Sequence, residues 1–370
     1  MKKALLLFTF FIHSIIFSQN IPLSNDASVS VFTCGKGEEL YTTFGHTAIR
    51  IKDNVNNLDL VYNYGMFDFR EGNFYLKFIK GDLQYFVAAF AFQDFIYEYQ
   101  SENREVIEQT LNLSVQKKQE LFDLLNASLF SDERFYTYKF IDRNCTTKVA
   151  EKINKIVGTA LIQKVDDKSI SYREVLYPYF ENHFWYKLGI NIVFGAKTDD
   201  KAERLFLPVE LLNSLDKAVV KGKPLVEKKE IIIKEKQDEN SFSFFNSIYF
   251  VSSILLILLL INNKIITKTY LIISGILGIF ISLLGLYSLH HELLWNYNAL
   301  LFNPLFLIPV FLKNKNWSKY MILICVVCLA TYTAIMVFKP HLTLMLPFII
   351  TSGIILFKEF KTTKLLPSVE

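Results

Sequence analysis

The chain has 370 residues, 51% of them hydrophobic, and a formal net charge of only +4. The length exceeds one ordinary domain. So small a charge excess gives no basis for nucleic-acid binding.

In chain order, Met1-Lys2-Lys3, an apolar run over 4–17 and Ser18-Gln19-Asn20 form the n-region, h-region and cleavage zone of a signal peptide over 1–19. The zone holds no Cys, so the protein is not itself a lipoprotein. Residues 20–222 are mixed in character, as in an exported globular domain. Within them, alternation predicts strands over 28–33, 44–52 and 58–64. The Asn54-Val55-Asn56-Asn57 turn joins the last two as a hairpin and brings Asn63 or Tyr64 roughly opposite His46. The aromatic stretch 74–99 reads as a core helix plus a strand, or as a surface that meets lipid. Ser114 caps an expected helix over 115–129, residues 135–141 are strand-like, and 146–156 read as a helix that places Cys145 at its mouth. Residues 223–243 carry dense charge around Ile231-Ile232-Ile233 and read as a solvated linker with room for a short strand or helix.

From residue 244 to 357 the chain is membrane-like. Apolar runs cover 244–261, 269–289, 299–312, 320–338 and 341–357, which predicts five spans, or four with a re-entrant third run containing Pro304 and Pro309. Basic residues alternate between connections. Lys264 and Lys268, then Lys313, Lys315 and Lys319, then Lys358, Lys361 and Lys364 of the tail (358–370) mark the cytoplasmic side. The 290–298 connection and Lys339 then face outward with the exported domain, as expected for a multi-pass protein of the inner membrane.

Two motifs of the exported domain carry chemistry: Phe44-Gly45-His46-Thr47 and Asn144-Cys145-Thr146-Thr147. A thiol at a helix start has its thiolate favoured by free N–H groups and the helix dipole, and an imidazole can take its proton. His46 and His183 are the imidazoles available there. The bland reading stays open, in which Cys34 and Cys145 form a structural disulfide in a non-catalytic envelope module. Two cysteines and two histidines without ligand spacing make a poor metal set, so no metal or other cofactor is expected.

These residues, together with residues 40–50, Val61-Tyr62-Asn63-Tyr64-Gly65-Met66-Phe67-Asp68-Phe69, Asp142-Arg143 and Phe206-Leu207-Pro208, resemble the exported domain of the Lnb family. His290 followed by Asn296-Tyr297-Asn298 and Asn303-Pro304-Leu305 is similar to the family's outward loop and next helix. The resemblance implies an α+β domain with a circularly permuted papain or NlpC/P60 fold, His before Cys, followed by an α-helical multispan membrane domain. It implies a thiol acyltransferase that moves an acyl chain from the diacylglyceryl group of a lipoprotein to its N-terminal Cys amine, giving a lyso-form. Diacylglyceryl lipoproteins and membrane lipid are then the partners. By carry-over Cys145 is the nucleophile, His46 the base, and Asn63 the residue that orients the imidazole, with Asp68 in reserve. His290, Asn296 and Asn298 are the expected substrate-binding residues. Arg143 departs from the acidic or amide residue that the family pattern suggests. A cell-wall amidase or peptidase of the NlpC/P60 type is the alternative enzyme.

Overall fold

The computed structural model describes residues 21–158, 160–236, 242–312 and 314–362. The expected signal peptide over 1–19, Lys313 and Lys364 lie outside them.

The exported part is one antiparallel sheet wrapped by helices. Its strands are β1 (Ser28–Cys34), β2 (His46–Asp53), β3 (Leu58–Met66), β4 (Gln84–Ala91), β5 (Val106–Leu111), β6 (Phe135–Thr137) and β9 (Val226–Ile233); β7 (Val219–Val220) and β8 (Lys223–Pro224) form a separate short ribbon. The order across the sheet is β6-β4-β3-β2-β1-β5-β9. β2 lies at its centre, so His46 enters the domain between two paired neighbours. The segment expected as a charged linker supplies β9. Its run of exposed charge, Glu227, Lys228, Lys229 and Glu230, suits an edge strand, where charge blocks further pairing.

Period-2 alternation divides the sheet into two faces. Ile49 and Ile51 of β2 join Val29, Val31 and Tyr62 in the main core. That core is closed by α3 (Val115–Leu129), α4 (Cys145–Val157) and α7 (Pro208–Lys217). Ala48, Phe32 and Val61 point the other way, onto Phe95 and Tyr99 of α2 (Phe92–Ser101). The aromatic stretch thus resolves into α1 (Phe74–Lys80), β4 and α2. Ser114 caps α3 by accepting from the Lys117 N–H. The expected strand over 135–141 shortens to β6, because Lys139 and Arg143 close a tight loop on each other just before α4.

Two short helices, α5 (Tyr172–Leu176) and α6 (Phe184–Val193), lead towards the membrane part. The five apolar runs become successive helical or broken-helical segments. α8 (Ile248–Ile261) is only 14 residues long. α9 (Lys264–Tyr287), the segment His291–Phe311, α11 (Lys315–Met336) and α12 (Leu342–Thr362) form four passes long and apolar enough to cross a membrane. The second of these four is broken: 3-10 turns at His291–Leu293, Tyr297–Leu300 and Pro304–Phe306 precede the five-residue α10 (Leu307–Phe311). Pro304 and Pro309, the residues that marked this run as irregular, lack the N–H a regular helix needs.

The seam between the two parts is polar and close. The Gly195 N–H donates to Glu292 O at 2.7 Å, and a methyl on Gly195 would stand 1.9 Å from Leu294 O. Arg173 pairs with Asp199 at 2.7 Å, and Asp199 also receives the Tyr297 hydroxyl and Lys339. The 290–298 connection and Lys339 therefore lie against the exported domain. At the far end, Lys358 reaches Asn262 beside Lys264.

Candidate active site

Cys145 is the first residue of α4. The helix begins there because Asn144 and Thr147 form a capping box: Asn144 accepts from the Thr147 N–H, and the Thr147 hydroxyl accepts from the Asn144 N–H. The Asn144 amide also donates to Phe140 O at 2.7 Å and Phe206 O at 2.9 Å, which anchors the cap. Gly45 prepares the other motif. Its φ of +77° suits glycine, and a Cβ there would lie 2.4 Å from Cys34 O. Phe44 packs at 5.1 Å from the Phe140 ring, so the lead-ins of the two motifs touch. The Phe206-Leu207-Pro208 run serves both: Phe206 receives Asn144, and Pro208 lies beside Gly45.

The structure brings Cys145, His46 and Asn63 together. Asn63, 3% exposed, is placed by the β2–β3 register, in which it pairs with Ala48. Its amide nitrogen donates to Val61 O at 3.2 Å, which turns Oδ1 towards His46 Nε2 at 3.1 Å. Nε2 therefore carries the proton, and Nδ1 is left for the sulfur. Burial pushes the Cys145 thiol up, but the His46 charge, a hydrogen bond to His46 and the Thr47 N–H and hydroxyl outweigh it and bring the thiol down to about 7. For His46, burial pulls down, while the Cys145 charge, its hydrogen bond and the Asn63 contact raise the imidazole above its ordinary value. Each group thus favours the charged form of the other, an arrangement suited to a thiolate–imidazolium pair.

The remaining candidates fall elsewhere. Asp68 is exposed and pairs with Arg70. His183 stacks on Tyr186 and faces Glu38. Cys34 and Cys145 are both free thiols, so the disulfide reading does not describe this molecule. Cys34 is buried opposite His46 on β1, and burial pushes its thiol up to about 12. His290, Asn296 and Asn298 are engaged within the seam. His290 Nε2 meets Phe78 O at 2.9 Å, Asn296 donates to Ile192 O and Val193 O, and Asn298 donates to Asn191 O while accepting from Tyr332. Arg143 lies over the Tyr136 ring at 5.5 Å.

Three neighbours of Cys145 were not singled out by sequence reasoning: Thr47, Gly65 and Tyr136. The signal for the first was its place inside the His motif. For Gly65 it was a glycine within a strand, which marks a bulge or a close approach; here φ is +92° and Cys145 Cβ lies 3.4 Å from where a methyl would be. Tyr136 gave none.

The site is also fastened to the membrane part. The Ile141 N–H, four residues before the thiol, donates to Glu292 at 3.2 Å, and Lys139 donates to Leu289 O at 3.1 Å. Aromatic rings lead outward from it. Tyr138 stacks on Tyr85 at 4.3 Å, Tyr85 touches Phe67 at 5.2 Å, and Phe67 meets Tyr41 and Phe69, which are 57% and 54% exposed.

Residues 19–177 match the family model described as the Lnb N-terminal periplasmic domain. Both motifs lie inside that match. No curated protein and no solved structure matches the chain. The N-terminal mixed α/β region is thus similar to the Lnb N-terminal periplasmic domain, and with four segments of membrane length after it the chain is an integral membrane protein with a periplasmic N-terminal domain.

Proposed function

We propose that this protein is a cysteine-dependent acyltransferase of the inner membrane, acting on the diacylglyceryl group of lipoproteins. In the first step the Cys145 thiolate attacks an ester carbonyl of that group. A C–S bond forms, the glycerol C–O bond breaks, and His46 gives its proton to the departing alkoxide. In the second step the lipoprotein's free α-amine attacks the thioester. A C–N bond forms, the C–S bond breaks, and His46 takes the amine proton. Cys145 returns as thiolate. The product carries one ester fewer and one amide more, and the greater stability of the amide drives the transfer without a nucleotide. Asn63 keeps Nε2 protonated and the ring in place throughout.

One observation carries this reading: the lead-in to Cys145 is hydrogen-bonded to the loop that begins a membrane pass. A soluble substrate would need no such attachment. A bilayer-embedded ester does, and the half-exposed Tyr41 and Phe69 offer apolar surface beside the site. His290, Asn296 and Asn298 then act by holding this loop at the exported domain, which supports the substrate site from behind.

The test is to trap the thioester. The detergent-solubilised protein is mixed with a synthetic diacylglyceryl lipopeptide whose α-amine is blocked, so that only the first step can run. Intact-mass and peptide mapping should find one acyl chain on Cys145. An unmodified Cys145 with intact lipopeptide, alongside release of soluble muropeptides from purified wall, would instead favour the cell-wall hydrolase.

A further inference from the structure

Acyl transfer through a thioester passes twice through a tetrahedral intermediate whose oxygen bears negative charge, and that charge needs donors already in place. One donor is inherent in the helix start. The Cys145 N–H lies in the first turn of α4, where no preceding carbonyl of the helix can accept it, and the capping box uses the N–H groups of Asn144 and Thr147 instead.

The second comes from β6. Tyr136 is 3% exposed, yet its O–H finds no acceptor among the described residues, and its oxygen has only the Gly65 N–H approaching it. A buried hydroxyl whose proton has no acceptor is unfavourable, so its retention calls for a reason. Gly65 locates the space it serves. A methyl on Gly65 would lie 3.9 Å from the Tyr136 oxygen, 3.9 Å from the Cys145 nitrogen and 3.4 Å from Cys145 Cβ. Because residue 65 is glycine, that space beside the sulfur is open to a substrate atom.

We infer that the Tyr136 hydroxyl and the Cys145 N–H together form the oxyanion hole of this enzyme. The inference rests on Cys145 being the nucleophile. Burial holds the Tyr136 phenol well above its ordinary range, so it stays a neutral donor at working pH. Arg143 at 5.5 Å and Lys148 at 5.8 Å lie over its ring, and their charge polarises the O–H towards donation. The departure at position 143 from the expected acidic or amide residue thereby gains a purpose. In each step the hydroxyl donates a hydrogen bond to the former carbonyl oxygen and keeps its own proton.

The test compares two reactions of the same thiol in the full-length protein in detergent. Acylation by p-nitrophenyl butyrate builds an oxyanion; alkylation by iodoacetamide does not. Tyr136→Phe is expected to slow acylation of Cys145 by about 10²- to 10³-fold while leaving alkylation within about twofold. Gly65→Ala, which fills the same space and keeps the hydroxyl, is expected to show the same split and serves where Tyr136→Phe fails to accumulate. Unchanged acylation in both variants, or equal slowing of the two reactions, overturns the inference. A wild-type Cys145 that alkylates but is never acylated removes the acyl-enzyme reading itself, and the oxyanion hole with it.

Discussion

At the residue scale the chemistry turns on which charge states are held. The His46 imidazolium stabilises the Cys145 thiolate, so the alkylation rate of Cys145 should rise with pH through about 7 and then level off. In His46→Ala the midpoint should move up, past the ordinary thiol value of about 8.5, because burial then loses its main opponent and faces only the Thr47 contacts. A midpoint still near 7, read by iodoacetamide kinetics across pH, would show that His46 does not set the thiol. Asn63→Ala should cost less turnover than His46→Ala, on the order of 10- to 100-fold, since it frees the ring to take the wrong tautomer and leaves the base present. Cys34→Ser should retain activity, because Cys34 is a free thiol in the sheet and not a partner of Cys145. Loss of transfer equal to that of Cys145→Ala would contradict this.

At the element scale, much of the site was legible in the sequence because short-range rules built it. The Asn144–Thr147 cap, the turn at 54–57 and the alternation of β2 and β3 are local, and they sufficed to bring Asn63 near His46. What could not be read was long-range. Val106–Leu111 carries Glu108 and Gln109 at buried positions. Ser30 and Arg50 satisfy Glu108, and Leu212 O and Asp216 accept from the Gln109 amide nitrogen, all from other elements. Tyr136 was equally silent, since its importance comes from Gly65 and Cys145 on other elements. For His290, Asn296 and Asn298 a sequence does not show that backbone carbonyls of the seam are among their partners. The cap itself is testable. Asn144→Ala should lower stability by about 1 kcal/mol or more, measured as a drop in thermal midpoint, since it removes the N-cap and both anchoring bonds to Phe140 O and Phe206 O. An unchanged midpoint would mean that α4 is held at its start by something else.

At the scale of the whole molecule, the exported domain and the membrane part meet through buried charge and tight backbone, and this holds the Cys145 loop against the membrane part. Arg173→Ala leaves Asp199 without its main partner in the seam and should destabilise the protein by roughly 3–5 kcal/mol, read as loss of folded protein and faster proteolysis between the two parts. The same geometry sets topology. A single cysteine at Glu227, on the exposed edge strand, should label in intact cells made permeable at the outer membrane, whereas one at Asn262, beside Lys358 at the far end, should not. The reverse pattern would place the thiol on the wrong side of the membrane for exported lipoproteins. The central claim is most directly tested on the product. A diacylglyceryl lipopeptide with a free α-amine is incubated with the wild-type protein or Cys145→Ala, and its N-terminal Cys is sequenced by tandem mass spectrometry. An amide-linked acyl chain on the Cys nitrogen with one ester lost is expected in the wild type alone. A free α-amine after full incubation with active protein, or the same product from Cys145→Ala, would contradict it.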